Sequence, residues 1–298
     1  MRDKTRMIRF AALLLASCLA SSLPAHAAAQ LKPFKDKLFA YPAILATSDD
    51  GKHITVDYQE MRDINGRDAI PERRVKPVYI DTGVRRVQQD LALPLDDGGR
   101  ITHVAVGKRE GASMIVLYLH GQGGSRKQGM DDVTFGGNFN RIKNLMAGNN
   151  GLYLTPDFPD FGNKGAEQVA SLIAHYSQAS PVAPVFIACG SMGGALCWEL
   201  ARKPDIVRNL GGLLLLGSHW NDDFLTSAAF KAKVPVFFAQ GSRDPVFPVE
   251  KQEAFFRKIL AASPKYPARF VRFESGTHGT PIRMTDWRET LNWMLSQR

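Results

Sequence analysis

With 298 residues and 44% hydrophobic content, the chain can bury one large core without needing a second domain. Its formal net charge of +9 comes from signs mixed along the chain, and residues 50–110 carry eleven charges of each sign. No Lys/Arg stripe with interleaved aromatics appears, which argues against nucleic-acid binding. No Cys/His cluster has metal-ligand spacing, and no long repeat or low-complexity tract is present.

The first segment has the pattern of an export leader. Arg2, Lys4, Arg6 and Arg9 form a positive start opposed only by Asp3, and Phe10 to Leu23 is apolar and too short to span a bilayer comfortably. Pro24-Ala25-His26-Ala27 then supplies a small-residue cleavage site. Residues 1–27 are therefore expected to be a signal peptide, leaving a periplasmic or secreted protein. The alternative is lipidation: Leu15-Ala16-Ser17-Cys18 resembles a lipobox, which would make Cys18 an acylated anchor. Cleavage after Ala27 is preferred because the apolar run continues past Cys18. Removing four basic residues and one acidic residue lowers the formal charge from +9 to +6. That modest excess fits a solvated surface, and it leaves open a preference for anionic substrates or an association with envelope surfaces.

Residues 28–298 are expected to form one domain, in which 28–110 supply an N-terminal arm and antiparallel edge strands. Residues 28–50 read as irregular. Strand-like alternation then marks 53–58, 75–80 and 100–106, punctuated by turns such as Asp96-Asp97-Gly98-Gly99. Whether this region packs on the core or binds a partner is left open. From residue 113 the runs become continuously apolar: 114–119, 151–154, 185–188, 213–216, 234–239 and 270–273. Strands that are apolar on both faces belong to a parallel sheet covered by helices. Helical segments are expected near 136–147, 165–178, 192–203, 249–261 and 285–296. The alternation indicates a doubly wound α/β architecture. Only about fifteen residues, His219 to Lys233, separate Ser218 from the next strand, too few for a large lid.

Four segments carry chemistry. Leu119-His120-Gly121-Gln122-Gly123-Gly124 follows a strand, and its glycines let backbone N–H groups turn inward. Val185 to Gly194 reads as a strand, a serine, small residues and a helix start, which is the setting a nucleophile elbow requires. Asp244 lies just beyond a strand in Gly241-Ser242-Arg243-Asp244-Pro245, and His278 sits in the Gly-flanked loop Ser275-Gly276-Thr277-His278-Gly279. Ser191 is the expected nucleophile, His278 the general base and Asp244 the orienting carboxylate. The amides of Gln122 and Met192 would hold an oxyanion. Asp222 and Asp223 are rivals for the acid. His120 is expected to shape the oxyanion loop, and His219-Trp220 to line either the pocket or the core. Asp157 and Asp160 are expected to order their own loop. Cys189 and Cys197 read as small buried residues beyond bridging distance, one ending a strand and the other about two turns into a helix.

In the order Ser191, Asp244, His278, these motifs resemble the α/β-hydrolase superfamily, especially compact carboxylesterases, lysophospholipases and dienelactone hydrolases. The resemblance covers residues 100–298. It implies the α/β-hydrolase fold: a mostly parallel central sheet with helices on both faces, antiparallel N-terminal strands and no large lid. It also implies an acyl-enzyme mechanism on a small-molecule or lipid-like ester, with no cofactor. The elbow departs from Gly-x-Ser-x-Gly by placing Cys189 at the first glycine. A serine peptidase or an acyltransferase would use the same residues. An inactive envelope-binding protein on the same scaffold is the reading from outside enzymology.

Overall fold

The computed structural model describes residues 30–70 and 73–298. The leader and Cys18, with both readings of their processing, lie outside the described residues.

Twelve strands are formed among these residues. They are β1 (Ile44–Ser48), β2 (His53–Val56), β3 (Asp68–Ala69), β4 (Arg74–Val75), β5 (Gln88–Pro94), β6 (Arg100–Gly107), β7 (Ile115–Leu119), β8 (Leu152–Pro156), β9 (Val185–Gly190), β10 (Leu210–Leu216), β11 (Val236–Gly241) and β12 (Ala268–Phe273). All but the small β3–β4 hairpin join one sheet in the order β1-β2-β12-β11-β10-β9-β7-β8-β6-β5. Every pairing from β2 to β8 is parallel. β1 at one edge, and β6 with β5 at the other, run antiparallel to their neighbours.

The helices are α1 (Asp36–Phe39), α2 (Glu60–Asp63), α3 (Arg126–Met130), α4 (Asn138–Gly148), α5 (Asn163–Ala179), α6 (Gly194–Arg202), α7 (Pro204–Val207), α8 (Ala228–Lys231), α9 (Val249–Ala262), α10 (Thr280–Met284) and α11 (Trp287–Leu295). Two cores follow from the period of two along each strand. Ile115, Leu117 and Leu119 of β7 face α5, α6 and α9, packing with Leu172, Leu196 and Phe255. Val116 and Tyr118 face the opposite way, toward Phe139 and Leu145 of α4 and Trp287 and Leu291 of α11. Each fully buried aliphatic side chain contributes about 1.5–3 kcal/mol, so the central strands hold most of the apolar stabilisation. The segment between β10 and β11 has only a short 3₁₀ turn at Asp222–Thr226 and the four-residue α8.

The N-terminal region packs on the core rather than standing apart. β2 pairs with β12 and β6 with β8, so the region closes both edges of the sheet. Buried charges fasten it further. Lys143 of α4 lies 2.7 Å from Asp132, which also accepts from Arg85 at 2.6 Å and Asn140 at 2.7 Å. Arg141, fully buried, bridges Asp36 and Asp286 and lies over the Phe39 ring.

Three expectations are corrected. The arm at 28–50 is not wholly irregular, because it contains β1. The strand expected over 75–80 stops at Val75, since Pro77 opens a 3₁₀ turn, Pro77–Tyr79, where its fixed φ and missing N–H are tolerated. Cys189 and Cys197 form a disulfide. Residues 191–193 form a 3₁₀ turn before α6 begins, so Cys197 is one turn into the helix rather than two. Its side chain lies over β9 with the Cα atoms 6.4 Å apart, within bridging range.

Candidate active site

The chemistry-bearing residues gather at the C-terminal ends of adjacent parallel strands, where the loops of an open α/β sheet converge. Ser191 follows β9 with φ of 51°, a left-handed conformation unfavourable for any residue with a Cβ. The turn is enforced by its surroundings. A Cβ on Gly193 would meet the carbonyl oxygens of Leu119 and His120 at 2.6 and 2.8 Å, and one on Gly190 would meet the Tyr118 hydroxyl at 2.7 Å. Only glycine allows so close an approach of turn and neighbouring strand. The Ser218 hydroxyl at the end of β10 donates to the Ser191 carbonyl at 2.7 Å, pinning the turn from the other side.

His278 lies in the loop after β12. Its Nε2 is 2.9 Å from Ser191 Oγ and its Nδ1 is 2.8 Å from Asp244 Oδ2. Asp244, beyond β11, has a fully buried side chain held by several donors. Gln240 Nε2 donates to Oδ2 at 2.7 Å, and the amides of Val246 and Phe247 donate to Oδ1 at 2.8 and 3.0 Å. With its carboxylate so fixed, Asp244 accepts from Nδ1–H, which leaves Nε2 as the acceptor for the serine hydroxyl. The three side chains thus form one hydrogen-bonded line, with the His278 side chain partly open to solvent.

Beside Ser191 lies a cavity of about 160 Å³, lined by Gly121, Gln122, Gln128, Phe135, Leu216 and Ile282 together with Gly190, His278 and Gly279. Met192 is the second residue of the 3₁₀ turn Ser191–Gly193, where the first N–H groups have no acceptor within the turn. Of the two residues expected to hold an oxyanion, Gln122 lines this cavity with Ser191, and Met192 follows the serine in the chain. A larger surface cleft of about 410 Å³, between Asp36, Arg288 and Trp293, contains none of these groups. Among the described residues, no group of three or more His, Cys, Asp or Glu is arranged to hold a metal ion.

The rival acids are elsewhere. Asp222 pairs with Lys258 at 2.6 Å and Asp223 faces Arg202, both at the surface. Burial lowers the basicity of His120, whose Nδ1 faces the Gly121 carbonyl and whose ring stacks on Phe158 at 4.1 Å, bracing the loop that carries Gln122. Burial lowers His219 too. Neither His219 nor Trp220 lines the cavity: the His219 carbonyl accepts from Trp198, and Trp220 packs against the core. Asp157 holds the start of α3 through the Arg126 amide at 2.7 Å and the Arg126 guanidinium. Asp160 accepts from the amides of Gly162 and Gly165. Both order their loops.

Sequence reasoning missed the cavity walls, because Gln128, Phe135 and Ile282 come from short helices and turns without a motif. It also missed what occupies the anomalous first position of the elbow. The Cys189 side chain points away from Ser191 into the core and ties β9 to α6.

No protein-family model matches the chain, and no curated protein matches it by sequence. Solved structures match it in shape. A thermostable esterase aligns with a TM-score of 0.57 at 15% identity, over 71% of this chain and 63% of that one, so the match spans less than two thirds of the esterase's length. An alpha-beta serine hydrolase homologue from Coxiella burnetii aligns with a TM-score of 0.51 at 16% identity, over 68% of this chain and 95% of its own. An esterase of Pyrococcus furiosus gives 0.50 at 13% identity, over 70% and 92%. The chain has the α/β-hydrolase fold.

Proposed function

We propose that the protein is a serine hydrolase that cleaves carboxylic esters through an acyl-enzyme on Ser191. The observation that carries this reading is the unbroken line from buried Asp244 through His278 to Ser191 at a cavity wall. His278 takes the serine proton as Oγ attacks the ester carbonyl. The amides of Gln122 and Met192 stabilise the oxyanion, and the protonated His278 then delivers its proton to the departing alcohol. Water, activated by the same histidine, releases the acid. Asp244 holds the histidine tautomer and stabilises the imidazolium. The esterases among the structural neighbours support the choice of ester over amide. We also propose export: the leader pattern at 1–27 supports it, and the Cys189–Cys197 disulfide is a bond that persists in oxidising compartments.

The test is turnover of p-nitrophenyl acetate by the protein lacking residues 1–27. Wild type is expected to hydrolyse it, and Ser191→Ala to lose about a thousandfold or more of kcat. Equal rates in a folded Ser191→Ala variant would overturn the assignment.

A further inference from the structure

The cavity beside Ser191 is small, and Gln128 belongs to its lining. At about 160 Å³ it is near the size that accommodates a benzene ring, and below the roughly 300 Å³ at which small-molecule sites ordinarily begin. Phe135, Leu216 and Ile282 make it apolar. Apart from Ser191 and His278, the polar side chains in its lining belong to Gln122 and Gln128, and the position of the Gln128 carboxamide is determined by a neighbour. The Tyr118 hydroxyl lies beneath Gly190, its ring packed on Phe139 at 4.6 Å, and it is hydrogen-bonded to Gln128 Oε1 at 2.9 Å. Tyr118 is fully buried, and burial pushes its ionisation far above the ordinary phenol range, so it keeps its proton. Among the described residues, Gln128 Oε1 is the one acceptor within reach of that proton. A flipped carboxamide would strand it, so the carboxamide turns its NH₂ group away from Tyr118. No protein acceptor among the described residues meets Nε2. Gln128 itself is held on α3, whose start is fixed by the Ser125 cap and by Arg126 between Asp90 and Asp157.

We propose that this cavity is the acyl pocket and that it selects a short acyl chain carrying a hydrogen-bond acceptor oxygen, such as a hydroxyl or keto group, which Gln128 recognises. The inference rests on the esterase reading above. The cavity is assigned to the acyl group because the alcohol departs after the first half-reaction and water takes its place, and the His278 side chain that serves both steps is partly open to solvent. The acyl chain stays bound through both half-reactions. A site built to donate a hydrogen bond disfavours the analogue that leaves its donor unpaired. Tyr118 is a positioning residue, acting through Gln128.

The experiment compares p-nitrophenyl esters in matched pairs, 3-hydroxybutyrate against butyrate and 4-oxopentanoate against pentanoate, with octanoate as a length control. Each kcat/KM is divided by the ester's rate with hydroxide. Wild type is expected to favour the oxygenated member about five- to tenfold, the worth of one net hydrogen bond, and to handle octanoate worst. Gln128→Met should bring the ratio to about one. Tyr118→Phe should give an intermediate ratio, because the carboxamide is then free to turn. If Gln128→Met does not fold, Gln128→Glu keeps the acceptor for Tyr118 but opposes a keto oxygen, which has no proton to donate. It should push the 4-oxopentanoate ratio below one, whereas the 3-hydroxyl can still donate to the new carboxylate. A wild-type ratio near one, or a ratio unchanged by the Gln128 variants, would overturn the proposal. So would failure to turn over the oxygenated esters while Ser191 still reacts with a fluorophosphonate. Loss of both turnover and fluorophosphonate labelling would instead strike the esterase reading.

Discussion

The central parallel strands and the antiparallel edges of the same sheet are built on different terms. β7, β9, β10 and β11 are buried on both faces throughout, whereas every residue of β1 is exposed and β5 is half-exposed at best. The chemistry gathers at the ends of the buried strands. The left-handed turn at Ser191 is held there by β9, by the Ser218 hydroxyl, by the close approach of the flanking glycines and by the disulfide that ties β9 to α6. The edges extend the sheet and complete the cores without contributing a group to the Asp244–His278–Ser191 line.

That contrast can be broken most severely at the acid. Asp244→Asn should lower kcat for an ester by about 10³- to 10⁴-fold, because the carboxamide no longer selects the required histidine tautomer. Asp222→Asn, on the surface beside Lys258, should stay within about twofold of wild type, as expected for a charge outside the site. Equal losses in both variants would mean that the acid has been misplaced. Packing offers the next test. Leu117→Ala in β7 should cost about 2–5 kcal/mol in urea unfolding. Leu45→Ala in β1, whose side chain is 57% exposed, should cost no more than about 0.5 kcal/mol.

The smallest effect is pH dependence, and it draws on both regions. Burial lowers the proton affinity of His103 in β6 and of His120 and His219 at the ends of β7 and β10. The unfolded chain therefore binds more protons than the folded one as pH falls past the ordinary histidine value of about 6.5, so stability decreases in that direction. Urea unfolding should give a lower free energy at pH 5.5 than at pH 7.5, the three histidines outweighing Asp68 and Glu289, whose proton affinity burial raises and which act the other way as pH falls. Greater stability at pH 5.5 would contradict the assigned environments.

The same contrast explains what could be read from the amino acids. Strands buried on both faces write continuous apolar runs, so β7 through β12 and helices α4, α5, α6, α9 and α11 stand out by composition. The Ser191, Asp244 and His278 segments stand out because strand ends, glycines and reactive side chains coincide in chain order. Ile44–Ser48 wrote no such pattern, since neither of its faces is buried. In β5 the alternation of Leu91 and Leu93 is obscured by Gln, Asp and Pro. The disulfide escaped because its geometry turns on where α6 begins, a matter of one helical turn after a 3₁₀ segment. Gln128 and Tyr118 escaped because neither belongs to a motif, and their relation exists only once α3 is folded over β7.

The central claim is that Ser191 is a nucleophile activated in the folded protein, and covalent capture tests it most directly. Incubation with a fluorophosphonate, followed by intact mass and peptide mapping, should give one adduct per chain, located on Ser191 and lost in His278→Ala. No adduct on the folded protein, or an adduct on another residue such as Ser218, would contradict it.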